Sequence, residues 1–167
     1  MHPYFDLQGR TALVTGGTRG IGKMIAKAFV EAGATVYVCA RDGEACAQTA
    51  AELSAFGTCH GIAANLASET GVQVLAEQLA EKIGSLDILV NNAGTTWGAP
   101  LESYPAKGWE KVMQLNVTSV FSCIQQLLPL LRKAGSAANP ARVINIGSVA
   151  GITSHGENAY AYGPSKA

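Results

Sequence analysis

The chain has 167 residues, 48% of them hydrophobic and only 14% charged, and its 12 basic and 12 acidic side chains leave no formal net charge. That length suits one domain with a substantial core, and the composition excludes a solvated, disordered segment. No basic block is present to hold nucleic acid or an anionic membrane surface, so a small-molecule partner is expected.

The opening "MHPYFDLQGR" lacks a basic segment followed by an apolar run and does not read as a signal peptide. The strand "TALVTGG" then leads into a helix, "IGKMIAKAFVEAG", whose Ile21, Met24, Ile25, Ala28 and Phe29 recur at helical spacing and which ends at Gly33. "TVYVCA" reads as a buried strand. The alternation continues with helix "GEACAQTAAELSAFG", a strand near "CHGIAAN", helix "SETGVQVLAEQLAEKIG" and strand "LDILVNN". A long helix from about Ala106 to Arg132, a strand "RVINIGS" and the start of a last helix complete the chain. Strands alternating with helices of this length predict a doubly wound α/β domain, a Rossmann-type parallel sheet covered on both faces by right-handed crossovers. "RKAGSAANPA" is the expected exposed loop. Pro164 leaves two openings for the last helix: it begins near Tyr162, or its first turn is distorted.

"VFSCIQQLLPLLR" is the longest apolar stretch, and Gln125, Gln126 and Pro129 break it too early to span a bilayer. A cytoplasmic protein is expected. Cys39, Cys46, Cys59 and Cys123 form no C-x-x-C pair, and His2, His60 and His155 are equally scattered, which points to reduced core thiols and no metal site.

Chemistry concentrates at two places. The first strand runs into "TGGTRGIG", with glycines at 16, 20 and 22. After the first strand of a βαβ unit, such a turn lets backbone N–H groups approach a pyrophosphate at a helix N-terminus. About twenty residues on, an acidic side chain would bind a ribose hydroxyl and an arginine a 2′-phosphate. Ala40 stands where the acid belongs, Arg41 follows, and Arg19 adds a second guanidinium, so NADP(H) is favoured over NAD. Asp42 keeps the other choice open, since one residue of register would present its carboxylate to the ribose. At the other end of the chain, "ENAYAYGPSKA" places Tyr162 and Lys166 four apart, on one face of a helix, whereas Tyr160 has Pro164 at that offset. An ammonium beside a phenol favours phenolate, which suits proton exchange near neutral pH.

These motifs, with "NNAG" at Asn91 to Gly94, Asn116 in the long helix and Ser148 in "NIGSVAG", resemble the short-chain dehydrogenase/reductase family in its own order. The resemblance implies cofactor contacts from Gly16, Thr18, Arg19, Gly20, Ile21, Gly22, Arg41, Asn65, Leu66, Asn92, Ala93, Gly94, Tyr162 and Lys166. It implies that Tyr162 is the general acid or base, that Lys166 acts on it and holds the nicotinamide ribose, and that Ser148 hydrogen-bonds the carbonyl oxygen. Asn116 is implied to anchor a water that reprotonates the tyrosine; the lesser alternative is a mid-helix Asn solvated on the outer face. Asn65 departs from the family's usual Asp, though an amide oxygen also accepts from an adenine amino group. Asn91 and Asn92 are expected to brace the sheet and cleft. "GWEKVMQLNVTSVFSCIQQLLPLL" and "NPARVINIGSVAGI" resemble the NADPH-dependent β-ketoacyl reductases within the family, whose relatives reduce 3-oxoacyl thioesters. Trp97, Ile152 and His155 are placed at the substrate entrance, with plain packing the other reading of Trp97.

The expected substrate is a small carbonyl or hydroxyl compound, an acyl thioester among them, and full-length relatives are expected to be homo-oligomers. Family members continue past the lysine, so the chain reads as one domain, 1–167, truncated after the fifth strand, with Val143, Ile144 and Ile146 on an exposed apolar edge. Two classes of function remain: a reductase, or a chain that binds NADP without turnover as a sensor or partner subunit.

Overall fold

The central strands are near-continuous buried runs, TALVT, TVYVCA and ILVN, as a parallel sheet covered on both faces requires. The computed structural model describes residues 6–153 and 158–167. In chain order its elements are β1 (Thr11–Thr15), α1 (Gly20–Glu31), β2 (Thr35–Ala40), α2 (Gly43–Leu53), β3 (Cys59–Ala63), α3 (Glu69–Ala80), β4 (Ile88–Asn91), α4 (Ala106–Met113), α5 (Ser119–Ala134), β5 (Arg142–Asn145) and α6 (Tyr162–Lys166). The strands pair in parallel in the order β3-β2-β1-β4-β5, the doubly wound arrangement expected from the sequence.

Ala12, Val14, Val36, Val38, Ile88 and Val90 point to one face, where Ala26 and Val30 of α1 and Leu53 of α2 meet them. Leu13, Tyr37, Cys39 and Leu89 point to the other, against Leu75 and Leu79 of α3 and Cys123, Leu127 and Leu131 of α5. Burying each such side chain stabilises the fold by about 1.5–3 kcal/mol, so both layers are needed to offset chain entropy.

The five residues that mark α1 as a helix do not share one environment: Ile25 and Phe29 pack against the core, whereas Ile21 is 62% and Met24 70% exposed, and Ala28 is exposed too. The helix lies on the sheet through Gly22, Ala26 and Val30. Gly22 permits the approach, because a Cβ there would stand 2.2 Å from the carbonyl oxygen of Gly16. One expectation needs correction: the long helix is interrupted by a π-helical segment at Gln114–Thr118 between α4 and α5. There Ser119 Oγ donates to the Leu115 carbonyl at 2.6 Å, and Asn116 turns inward and is buried.

The last helix begins at Tyr162, so Pro164 is its third residue, where the missing N–H costs no helical bond. β5 is exposed along its length, with Val143 and Ile144 each 41% exposed as expected, but Ile146 just beyond it is half-buried against the core and does not belong to the exposed edge. Among the described residues no helix is long and apolar enough to cross a membrane.

All four cysteines are free and buried. Burial pushes the thiols of Cys59 and Cys123 from the ordinary value of 9.0 up to about 11 and raises those of Cys39 and Cys46 as well. The folded thiols therefore hold their protons where unfolded thiols have lost them. Their contribution to stability is complete below about pH 9 and declines as pH rises from there through about 11. The expected result is slow maleimide labelling of the native chain at pH 8 and fast labelling in urea; four native thiols reacting at the unfolded rate would contradict the burial.

Candidate active site

β1 and β4 are neighbours whose crossovers leave in opposite directions, and a cleft of about 1120 Å³ opens beyond their carboxyl ends. One wall is the glycine turn. Gly16 has φ of 63° and sits so close to β4 that a Cβ would lie 2.9 Å from Asn92 Nδ2. Asn92 closes this seam: its Nδ2 donates to the carbonyls of Thr15 at 2.9 Å and Gly16 at 3.2 Å. Thr15 Oγ1 completes it by accepting from the amides of Asn92 and Ala93, both at 3.0 Å, while donating to the Val90 carbonyl at 3.2 Å. Sequence reasoning missed Thr15; its signal was a hydroxyl residue ending an otherwise apolar strand. Asn91 donates to Asn145 Oδ1 at 2.9 Å, tying β4 to β5.

Gly16, Thr18, Arg19, Gly20, Ile21 and Gly22 all line the cleft, as do Arg41, Leu66, Asn92, Ala93 and Gly94. Among the described residues neither Arg19 nor Arg41 has a carboxylate partner. Asp42 also reaches the wall, but its Oδ1 accepts from the amides of Glu44 at 3.0 Å and Ala45 at 3.1 Å and so caps α2. Asn65 is not on the wall, where Ala64 and Leu66 stand; it is exposed, and its Oδ1 accepts from the Ala67 amide at 3.2 Å.

The opposite end is lined by Ser148, Tyr162 and Lys166. Ser148 follows β5 and its Oγ accepts from the Ala150 amide at 3.2 Å, which leaves the hydroxyl proton to donate elsewhere. Lys166 Nζ donates to the Ile146 carbonyl at 2.7 Å, and burial lowers its pKa. The Tyr162 hydroxyl has no hydrogen-bond partner among the described residues. Asn116 lies beneath the wall, buried and not solvated. Its Oδ1 accepts from the Thr95 amide at 2.8 Å, and its Nδ2 donates to the Thr95 carbonyl and to Ser165 Oγ, both at 2.9 Å. Ser165 Oγ in turn donates to the Tyr162 carbonyl at 2.7 Å. The side chain is thus occupied in bolting α6 to the loop after β4.

Of the three residues placed at the entrance, Trp97 packs on α4, where a Cβ on Gly108 would be 2.7 Å from its ring, and the Lys111 ammonium lies 5.2 Å from its centroid. Ile152 is 85% exposed, and His155 lies outside the described residues. No group of three or more His, Cys, Asp or Glu able to hold a metal ion occurs among the described residues. A turn with no room for a Cβ at Gly16 or Gly22, and two guanidiniums without a carboxylate partner among the described residues, fit a dinucleotide with a phosphorylated ribose.

Fold, cleft and residues together define a class: the chain belongs to the short chain dehydrogenase family, whose model matches residues 10–167. Along its whole length it is 72% identical to the rhamnolipids biosynthesis 3-oxoacyl-acyl-carrier-protein reductase of Pseudomonas aeruginosa, and it spans 65% of that enzyme. A 3-oxoacyl-acyl-carrier-protein reductase of Aquifex aeolicus is 37% identical over 149 residues, covering 88% of this chain and 58% of the relative. Among solved structures, the Pseudomonas aeruginosa RhlG/NADP active-site complex superposes with a TM-score of 0.97 at 72% identity, covering 99% of this chain and 65% of that one. A 7α-hydroxysteroid dehydrogenase complexed with NADH superposes with 0.88 at 32% identity, covering 97% and 62%.

Proposed function

We propose that the chain carries the cofactor site and reacting groups of an NADPH-dependent reductase of 3-oxoacyl thioesters. The observation that carries this reading is that a single cleft is lined at one end by the glycine turn with Arg19 and Arg41 and at the other by Ser148, Tyr162 and Lys166. The 72% identity to a rhamnolipid 3-oxoacyl reductase supports the substrate class, and the likeness to an NADP complex supports the cofactor.

When bound, the nicotinamide supplies a hydride to the carbonyl carbon. The chain's residues supply the rest. Tyr162 gives its hydroxyl proton to the carbonyl oxygen, so the C=O becomes C–OH and a phenolate remains. Ser148 donates to the same oxygen as charge develops there. Lys166, oriented by the Ile146 carbonyl, places positive charge beside the phenolate and reaches the nicotinamide ribose. Arg19 and Arg41 take the 2′-phosphate, Gly16 to Gly22 receive the pyrophosphate, and Leu66 with Ala93 and Gly94 line the path between. Asn65 stands off the wall with its amide oxygen engaged by Ala67 and is left out of the adenine contacts, and Asn116 acts on proton return through the segment it holds. A cytoplasmic site, where soluble NADPH and acyl thioesters meet, is part of the proposal. So is a homo-oligomer, supported by exposed Val117 and Phe121 one turn apart.

A second reading is NADP binding without turnover, which the glycine turn with Arg19 and Arg41 would support by themselves. Purified protein is titrated with NADPH by fluorescence and then given 3-oxoacyl thioesters while NADPH absorbance is followed. Binding with turnover supports the reductase, binding alone supports the second reading, and no binding overturns both.

A further inference from the structure

Of the two tyrosines near the last helix, Tyr162 lines the cleft and Tyr160 does not. Tyr160 turns instead to the loop after β4, where its ring meets the Tyr104 ring edge-on, centroids 5.5 Å apart and planes at 82°. Its hydroxyl and Asn158 Oδ1 are 3.1 Å apart, with the tyrosine donating. Asn158 has φ of 54°, the left-handed region that side-chain-bearing residues seldom enter and that Asn tolerates better than most. Its carbonyl accepts from the Ala99 amide at 3.2 Å. Tyr104 then donates to the Trp97 carbonyl at 3.2 Å, and the Trp97 ring rests on Gly108 of α4. A continuous run of contacts thus joins α4 to the residues that enter α6, and the same two segments present Thr96, Ala159 and Tyr162 to the cleft.

We propose that Tyr160, with Tyr104 and Asn158, is a positioning clasp that sets where the Tyr162 hydroxyl stands in the cleft. The inference rests on the reading of Tyr162 as the proton donor. Tyr162 is the first residue of α6, so where its side chain stands depends on what holds the segment that enters the helix. Ser165 fixes its inner side through Asn116, as described above. The clasp fixes its outer side: the edge-to-face ring pair supplies a defined angle, and Asn158 is held at its backbone carbonyl by Ala99 and at its side-chain oxygen by Tyr160. Tyr160 is a positioning residue; it acts through Tyr162.

The test uses the full chain and the variants Tyr160→Ala, Tyr160→Phe, Tyr104→Ala and the double alanine variant. Hydrogen exchange by mass spectrometry is expected to rise in Tyr160→Ala across both 95–105 and 158–167, leaving β1 to β4 unchanged. Turnover is expected to fall on the order of tenfold to a hundredfold, the loss that misplacement by about an ångström brings, with the Michaelis constant for NADPH unaltered. Tyr160→Phe, which keeps the ring, restores turnover to within about threefold. Tyr104→Ala also lowers turnover, and the double variant loses less than the two single losses combined, since the ring contact is common to both. Exchange confined to 158–167, additive losses, or an undiminished turnover despite faster exchange would overturn the clasp. If Tyr162→Phe keeps full activity the proton-donor reading fails instead, and the exchange pattern shows whether the contacts act as one unit.

Discussion

Tyr162→Phe is expected to lower NADPH-dependent reduction of a 3-oxoacyl thioester at least about a hundredfold, the usual cost of losing an acid catalyst. The substitution isolates the chemistry well, because the hydroxyl makes no hydrogen bond to any described residue and the ring remains to pack. Thermal stability should therefore stay close to that of the parent chain. The hydroxyl's lack of partners is also what makes it available: a phenol already donating to the protein would have to break that bond before giving its proton away. Activity within tenfold of the parent, measured with both proteins saturated in NADPH, would remove Tyr162 from the reaction.

The second large effect is expected at the opposite end of the cleft. Arg41→Ala should weaken NADPH binding about tenfold or more and leave NADH almost untouched, since a charge-assisted hydrogen bond is worth about 1.5–3 kcal/mol and only NADPH offers the phosphate. Arg19→Ala should act in the same direction, and the double variant should bring the two cofactors close to parity. The reasoning depends on Asp42. Were its carboxylate turned to the ribose, it would repel a phosphate, but both of its accepted bonds lie at the start of α2. Fluorescence titration with each cofactor decides the matter: parallel losses for NADPH and NADH in Arg41→Ala would mean the guanidinium serves the turn and not the phosphate.

The parts of this site that the sequence made legible are those written in adjacent residues. The glycine turn is one, because close approach of backbone to backbone excludes every side chain at Gly22 and leaves a local signature. Tyr162 and Lys166 are another, because a four-residue interval on a helix has one geometric meaning. What stayed hidden depends on partners far along the chain. Asn116 could be read as a solvated helix residue because nothing near it in sequence shows that Thr95 and Ser165, 21 and 49 residues away, surround its amide. Which side of α1 lies closest to the sheet was hidden for a related reason: Ile25 and Phe29 meet the core while Ile21 and Met24 at the same period do not, and the contact of Gly22 with Gly16 shows the side of closest approach. Asn65 was legible as a position after β3 but not as a side chain already engaged with Ala67.

The π-helical segment at Gln114–Thr118 has an evolutionary corollary. A turn of this kind is an α-helix with one residue too many, and losing a single codon within it would restore a regular helix. Each residue of an α-helix advances the side chains by about 100°, so that deletion would swing α5 around its axis relative to α4. Asn116 would leave the interior, or Leu127 and Leu131 would leave the sheet, because a continuous helix cannot satisfy both. Substitutions can drift through these five positions one at a time, whereas a change of length cannot. The spacing between Trp109 on one side and Cys123 on the other should accordingly be invariant in number wherever this architecture is inherited, even where the residues between them are not.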